Sequence, residues 1–139
     1  MSALEPTAHI EPLVREFERG TLPPAQLSHR LHLAFGWHYL QRDGFPAGAA
    51  TFCDRLRSYV RAVGATGKYH ETITWAYLVL LNEERMLGSE PDESFDSMIV
   101  RRPDLLDHRN GALMQCYTAE QLDSPAARTT FLLPRIGAR

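Results

Sequence analysis

The stretch GKYHETITWAYLVLLN, residues 67–82, sets a lysine, a tyrosine, a histidine and a glutamate directly before a run that is almost wholly apolar. Placed at 3.6 residues per turn, His70, Thr74, Tyr77 and Leu81 share one face. Glu71 lies about 100° further round, on a stripe with Trp75, Leu78 and Asn82. The pattern predicts a helix over about residues 69–87, apolar nearly all round and therefore central. Four proton-active side chains at the mouth of a helix about to be buried raise the question of what they do there.

The rest of the chain supplies helices to surround it. Leu13, Val14 and Phe17 repeat at helical spacing within Glu11 to Arg19, and Gly20 stops that segment. TLPPAQ is expected to open a second helix with Thr21 as cap and Pro23 and Pro24 in or near its first turn, running to about Gln41. A third, Ala47 to Val63, gathers Phe52, Leu56, Tyr59, Val60 and Val63 on one face and Asp54, Arg57 and Arg61 on the other. Ser94 is the expected cap of a short helix through Val100, Pro103 interrupts, and a brief segment covers Ala112 to Tyr117. Ser124 and Pro125 read as a cap and first helical position. The tail LLPRIGAR has no periodicity. No alternating strand pattern bounded by hairpin turns occurs. The expected fold is all-α: one domain over residues 1–139, a compact bundle of four or five main helices with short C-terminal ones.

Bulk properties narrow the partners. With 139 residues, 44% apolar and 23% charged, the chain can bury a core. A formal charge of −2 offers no basic footprint for nucleic acid or an anionic membrane. The first twenty residues lack a basic start followed by an apolar stretch, so no signal peptide is expected. The apolar run Trp75 to Leu81 is too short to span a bilayer. Cys53 and Cys116 lack metal or redox spacing and read as small buried hydrophobes in a reducing, cytoplasmic setting. The apolar stripe of the third helix fits either a homodimer or packing within one chain.

A candidate site follows from the two helices expected at the centre. His29 and His32 are neighbours one turn apart in SHRLHLAFGWHYL, and Gly36 lies one turn beyond. Glycine inside a helix costs about 1 kcal/mol relative to alanine, so something must approach closely at Gly36, a helix or a ligand. His38 points to the opposite side and is excluded. At the other helix, the dipole at its N-terminus disfavours an imidazolium at position 70. A neutral His70 would be a base, a hydrogen-bond partner or a metal ligand.

The strings HRLHLAFGWHYL and KYHETITWAYLVLLNEE resemble a family of small bacterial helical proteins in which an HxxHL helix precedes a KYHET-type motif. The resemblance covers about residues 22–84 and, more weakly, the CYT, SPAAR and LLP strings near the end. That family has no established activity, so the resemblance implies a fold and no catalytic assignment.

Three functional readings stand side by side. In the first, His29, His32 and His70 bind a divalent metal (zinc, iron or manganese) and Glu71 is a fourth ligand or general base. The second needs no metal: His70 or Glu71 is the base, and Lys68 or Tyr69 the acid or the group that positions an anionic or carbonyl portion of the substrate. Either would suit a small-molecule enzyme such as a lyase, isomerase, cyclisation catalyst or hydrolase. In the third, the histidines are structural and the protein is a non-catalytic small-molecule-binding or interaction module. GATGKY lacks the strand and GK[ST] of a phosphate loop, and no flavin or nucleotide motif is present. His9 and His108 have no spacing that ties them to the site. Ser28 points away from His29, and Cys53 has no histidine at useful spacing, so neither is an expected nucleophile.

Overall fold

The computed structural model describes residues 10–88 and 90–135. His9 lies outside them. Eight α-helices and no strand occur among the described residues: α1 Ile10–Arg19, α2 His29–Asp43, α3 Ala47–Ala62, α4 Glu71–Leu87, α5 Phe95–Arg101, α6 Ala112–Cys116, α7 Ala119–Leu122 and α8 Pro125–Thr129. The all-α expectation holds.

Helix ends follow local chemistry. Gly20, at φ 76°, takes the left-handed conformation that ends α1. Ser94 accepts the Ser97 N–H to cap α5, and Ser124 accepts the Ala127 N–H to cap α8. Two starts differ from expectation. The prolines of TLPPAQ form only a 3₁₀ turn, Pro24–Gln26, and the chain breaks before α2. Ser28 is the actual cap, its hydroxyl accepting the Leu31 N–H at 3.1 Å, while the Thr21 hydroxyl turns back to Glu16. The fourth helix starts at Glu71 rather than Tyr69, because His70 itself is the cap. The short α7, capped by Thr118, has no expectation behind it; four residues are too few to show a period.

The core is one continuous cluster of buried side chains. At its centre Phe17 packs against the rings of Phe35, Tyr59 and Phe52, with centroids 4.8, 5.2 and 5.9 Å away. This fastens α1 onto α2 and α3. The Tyr59 hydroxyl donates to the Leu22 carbonyl at 2.6 Å, so a buried polar tip is satisfied at the α1–α2 connection. Of the apolar face of α3, Phe52, Leu56, Tyr59 and Val60 are buried within the chain, and Val63 is half-buried. Trp37 and Gln41 of α2 both donate to the Glu93 carbonyl, at 2.9 and 2.7 Å, and the Glu93 carboxylate pairs with Arg101. Together these hold the 91–101 segment against α2.

Two glycines set helix separations. A Cβ at Gly36 would lie 3.1 Å from Leu81 Cδ1 and 3.2 Å from Leu78 Cδ2, so the close approach there is between α2 and side chains of α4. At Gly48 a Cβ would overlap the Tyr39 carbonyl oxygen and sit 2.9 Å from the Tyr39 carbonyl carbon, both backbone atoms of α2. A leucine tip can move; a helical carbonyl cannot without opening the α2–α3 contact. Gly48→Ala is therefore expected to lower the stability by about 3 kcal/mol, at the upper end of overpacking costs. Urea denaturation of the variant checks it, and an unchanged midpoint would disprove the close backbone contact.

Candidate functional site

Between α2, α3 and α4 lies a cavity of about 320 Å³. Its wall includes all three histidines singled out from the sequence, His29, His32 and His70, with Thr74, Tyr77 and Leu81 from the same face of α4. Lys68 stands exposed at its rim. The helical-face reasoning thus brings these residues to one space. His38 is absent from the wall and stacks edge-on against Tyr39, centroids 5.5 Å apart. The α3 wall, which includes Phe52, Leu56 and Val60, carries no sequence signal of a site, since apolar residues that line a cavity and those that fill a core look alike in sequence.

The KYHET residues turn out to be occupied. His70, 8% exposed, accepts the Ile73 N–H on Nδ1 at 3.1 Å, and Nε2 faces the Leu122 carbonyl at 2.7 Å. The first partner is a donor and the second an acceptor, so the tautomer is fixed: Nδ1 bare, Nε2 protonated. Both nitrogens are used, one to cap α4 and one to tether α7. The Glu71 carboxylate receives the Tyr69 hydroxyl at 2.6 Å, the Trp75 indole N–H at 3.0 Å and Arg57 at 3.3 Å. It faces an open groove shared with Arg57, Tyr69 and Arg128, away from the cavity wall. Thr72 is fully buried: it donates to the Thr130 carbonyl at 2.8 Å and accepts the Leu132 N–H at 3.1 Å. Burial pushes the Tyr69 hydroxyl far above its ordinary range, and its bond to Glu71 adds to this.

These facts change the expected roles. A metal held by His29, His32 and His70 with Glu71 does not fit the arrangement, because His70 has no free ring nitrogen and Glu71 points elsewhere. Among the described residues no three His, Cys, Asp or Glu side chains converge to hold a metal ion. As general bases, His70 and Glu71 are equally engaged, and the Tyr69 hydroxyl is spent as a hydrogen-bond donor to Glu71. Lys68 alone of that quartet keeps the freedom its role requires.

The other two histidines differ. His29 directs Nε2 to the Leu105 carbonyl at 2.9 Å, and its ring meets Tyr77 and His108 edge-on at 4.9 and 5.3 Å. His108, unconnected to the site by spacing, is brought there by the turn in which Asp107 accepts the Arg109 and Asn110 N–H groups. Burial lowers the His29 pKa, and the nearby His108 lowers it further against the opposing Leu105 carbonyl. Burial takes His32 down to about 4; the Ser28 carbonyl opposes this and His29 reinforces it. Both rings are neutral near pH 7. Tyr77, 7% exposed, forms part of the wall, and its hydroxyl is buried without a partner among the described residues. Burial raises its pKa to about 12. The Cys53 thiol is also raised to about 12 by burial, which makes it inert.

Comparison with known protein families, curated proteins and solved structures finds no match for this chain.

Two outcomes follow. His70→Ala removes a cap and a buried hydrogen bond and is expected to cost about 2–3 kcal/mol, whereas His70→Asn, which can still cap α4, recovers roughly half. Equal losses for the two in chemical denaturation would contradict the cap. His32 makes stability pH-dependent. Its folded value, about 4, lies below the ordinary 6.5, so as pH falls from 6.5 the unfolded chain takes up a proton that the folded chain refuses. The loss is complete near pH 4 and on the order of 3 kcal/mol, with none above pH 6.5. Melting curves for His32→Gln should show a flatter acid limb than wild type.

Proposed function

We propose that the protein binds a small, largely apolar molecule in the cavity between α2, α3 and α4. The observation that carries this reading is the cavity itself. Protein interiors pack as densely as organic crystals. A space of about 320 Å³ beside such a core is a feature that calls for an occupant. The volume falls at the lower end of small-molecule sites, which are mostly apolar with a few placed polar groups. Leu27, Leu56, Val60, Ile73 and Leu78 supply the apolar wall, and His29 and His32 the polar one. Lys68, Tyr69 and His70, in this reading, build part of the wall and perform no chemistry.

A second reading, an acid–base enzyme such as an isomerase or lyase, is favoured by one observation. His32 borders the cavity and is unprotonated at neutral pH, the state a general base requires. That reading moves the base from His70 and Glu71 to His32. His32→Gln would then leave binding intact and stop turnover of the bound molecule.

The binding reading is tested with an uncharged environment-sensitive probe, N-phenyl-1-naphthylamine. Wild type should bind one molecule per chain saturably. Val60→Phe places a ring in the cavity; it should weaken binding at least tenfold while the melting temperature holds or rises, as cavity-filling changes do. Unsaturable fluorescence, or equal affinity in Val60→Phe, would sink the proposal.

A further inference from the structure

The shape and charge of the cavity narrow what enters it. Residues from Lys68 to Leu81 line it, so it follows α4 from before its first residue through eleven residues of helix. At 1.5 Å per residue that is a length of roughly 16 Å. The closed end lies at Gly36, Leu78 and Leu81, all buried, and the open end at Pro24 and Lys68, both exposed.

Charge is distributed along the same axis. No Asp, Glu or Arg is among the residues that line the cavity. His29 and His32 are neutral, and a buried net charge beside them would lack a counter-ion. The one fixed charge on the wall is the Lys68 ammonium at the rim. The lining is therefore uncharged apart from Lys68 at its exposed end.

Resting on the binding reading above, we infer that the ligand is a monoanionic amphiphile, its apolar chain along α4 and its carboxylate-like head at Lys68. A cationic head meets Lys68 with like charge. Lys68 acts as the positioning residue for the head. It sets which end of the molecule stays outside, and the apolar wall supplies most of the affinity, since an exposed ion pair contributes little.

The test displaces N-phenyl-1-naphthylamine from the full-length protein with decanoate, decanol and decylammonium, below their aggregation concentrations and at low ionic strength. Decanoate should bind about five- to tenfold more tightly than decylammonium, a ratio that shrinks in high salt. Lys68→Glu should reverse that order and leave decanol unchanged. If decanol competes but the two ions bind alike in wild type, or Lys68→Glu leaves their ratio where it was, the head-group assignment is overturned while the cavity reading stands. If decanol fails to compete at all, the chain assignment falls; the binding reading falls with it only when the probe also ignores Val60→Phe.

Discussion

One imidazole holds two parts of this protein together. His70 caps the most central helix with Nδ1 and grips the Leu122 carbonyl with Nε2. A serine or asparagine could do the first, but only a side chain with an acceptor and a donor on opposite edges of a rigid ring can do both at these distances. The consequence spreads outward. Thr72, two residues on, takes the Thr130 carbonyl and the Leu132 N–H, so α7, α8 and the extended segment after them are fastened to the start of α4. Glu71, between them in sequence, points the other way and collects Tyr69, Trp75 and Arg57, tying α4 to α3. The polar residues at the mouth of this buried helix are a clasp.

That clasp explains why a cavity survives beside it. α4 is joined to the C-terminal helices on one side and to Arg57 of α3 on another, which sets its position beside α2. Gly36 brings the α2 backbone close to Leu78 and Leu81 at the far end, and Gly48 brings α3 against α2. The three long helices are in contact at these points, and His29, His32 and Val60 line the space left between them. Attachment at one end and close approach at the other leave a slot between them.

The electrostatics of the slot follow from its geometry. An imidazole that loses water on burial, with no carboxylate opposite to compensate, stays neutral. His29 and His32 meet that condition, and the wall has no acid to offer them. Glu71, at the start of α4, is already spent on its three donors. Lys68 sits exposed at the edge. A neutral lumen with a charged rim thus results from which elements bury which side chains.

The sequence alone fixed much of this. Periodicity revealed the long helices, and the capping serines at 94 and 124 located two short ones, because a helix end needs its N–H groups satisfied and these side chains satisfy them locally. Helical spacing also put His29, His32, Gly36, His70, Thr74, Tyr77 and Leu81 on faces that do meet at one cavity. What the sequence left open was where each polar atom is spent. The partners of His70, Thr72 and His29 are the carbonyls of Leu122, Thr130 and Leu105, 52, 58 and 76 residues away, and backbone carbonyls carry no residue code. A histidine free to react and one bonded at both nitrogens have the same letter and the same neighbours. Only the folding of the C-terminal segment onto α4 decided between them.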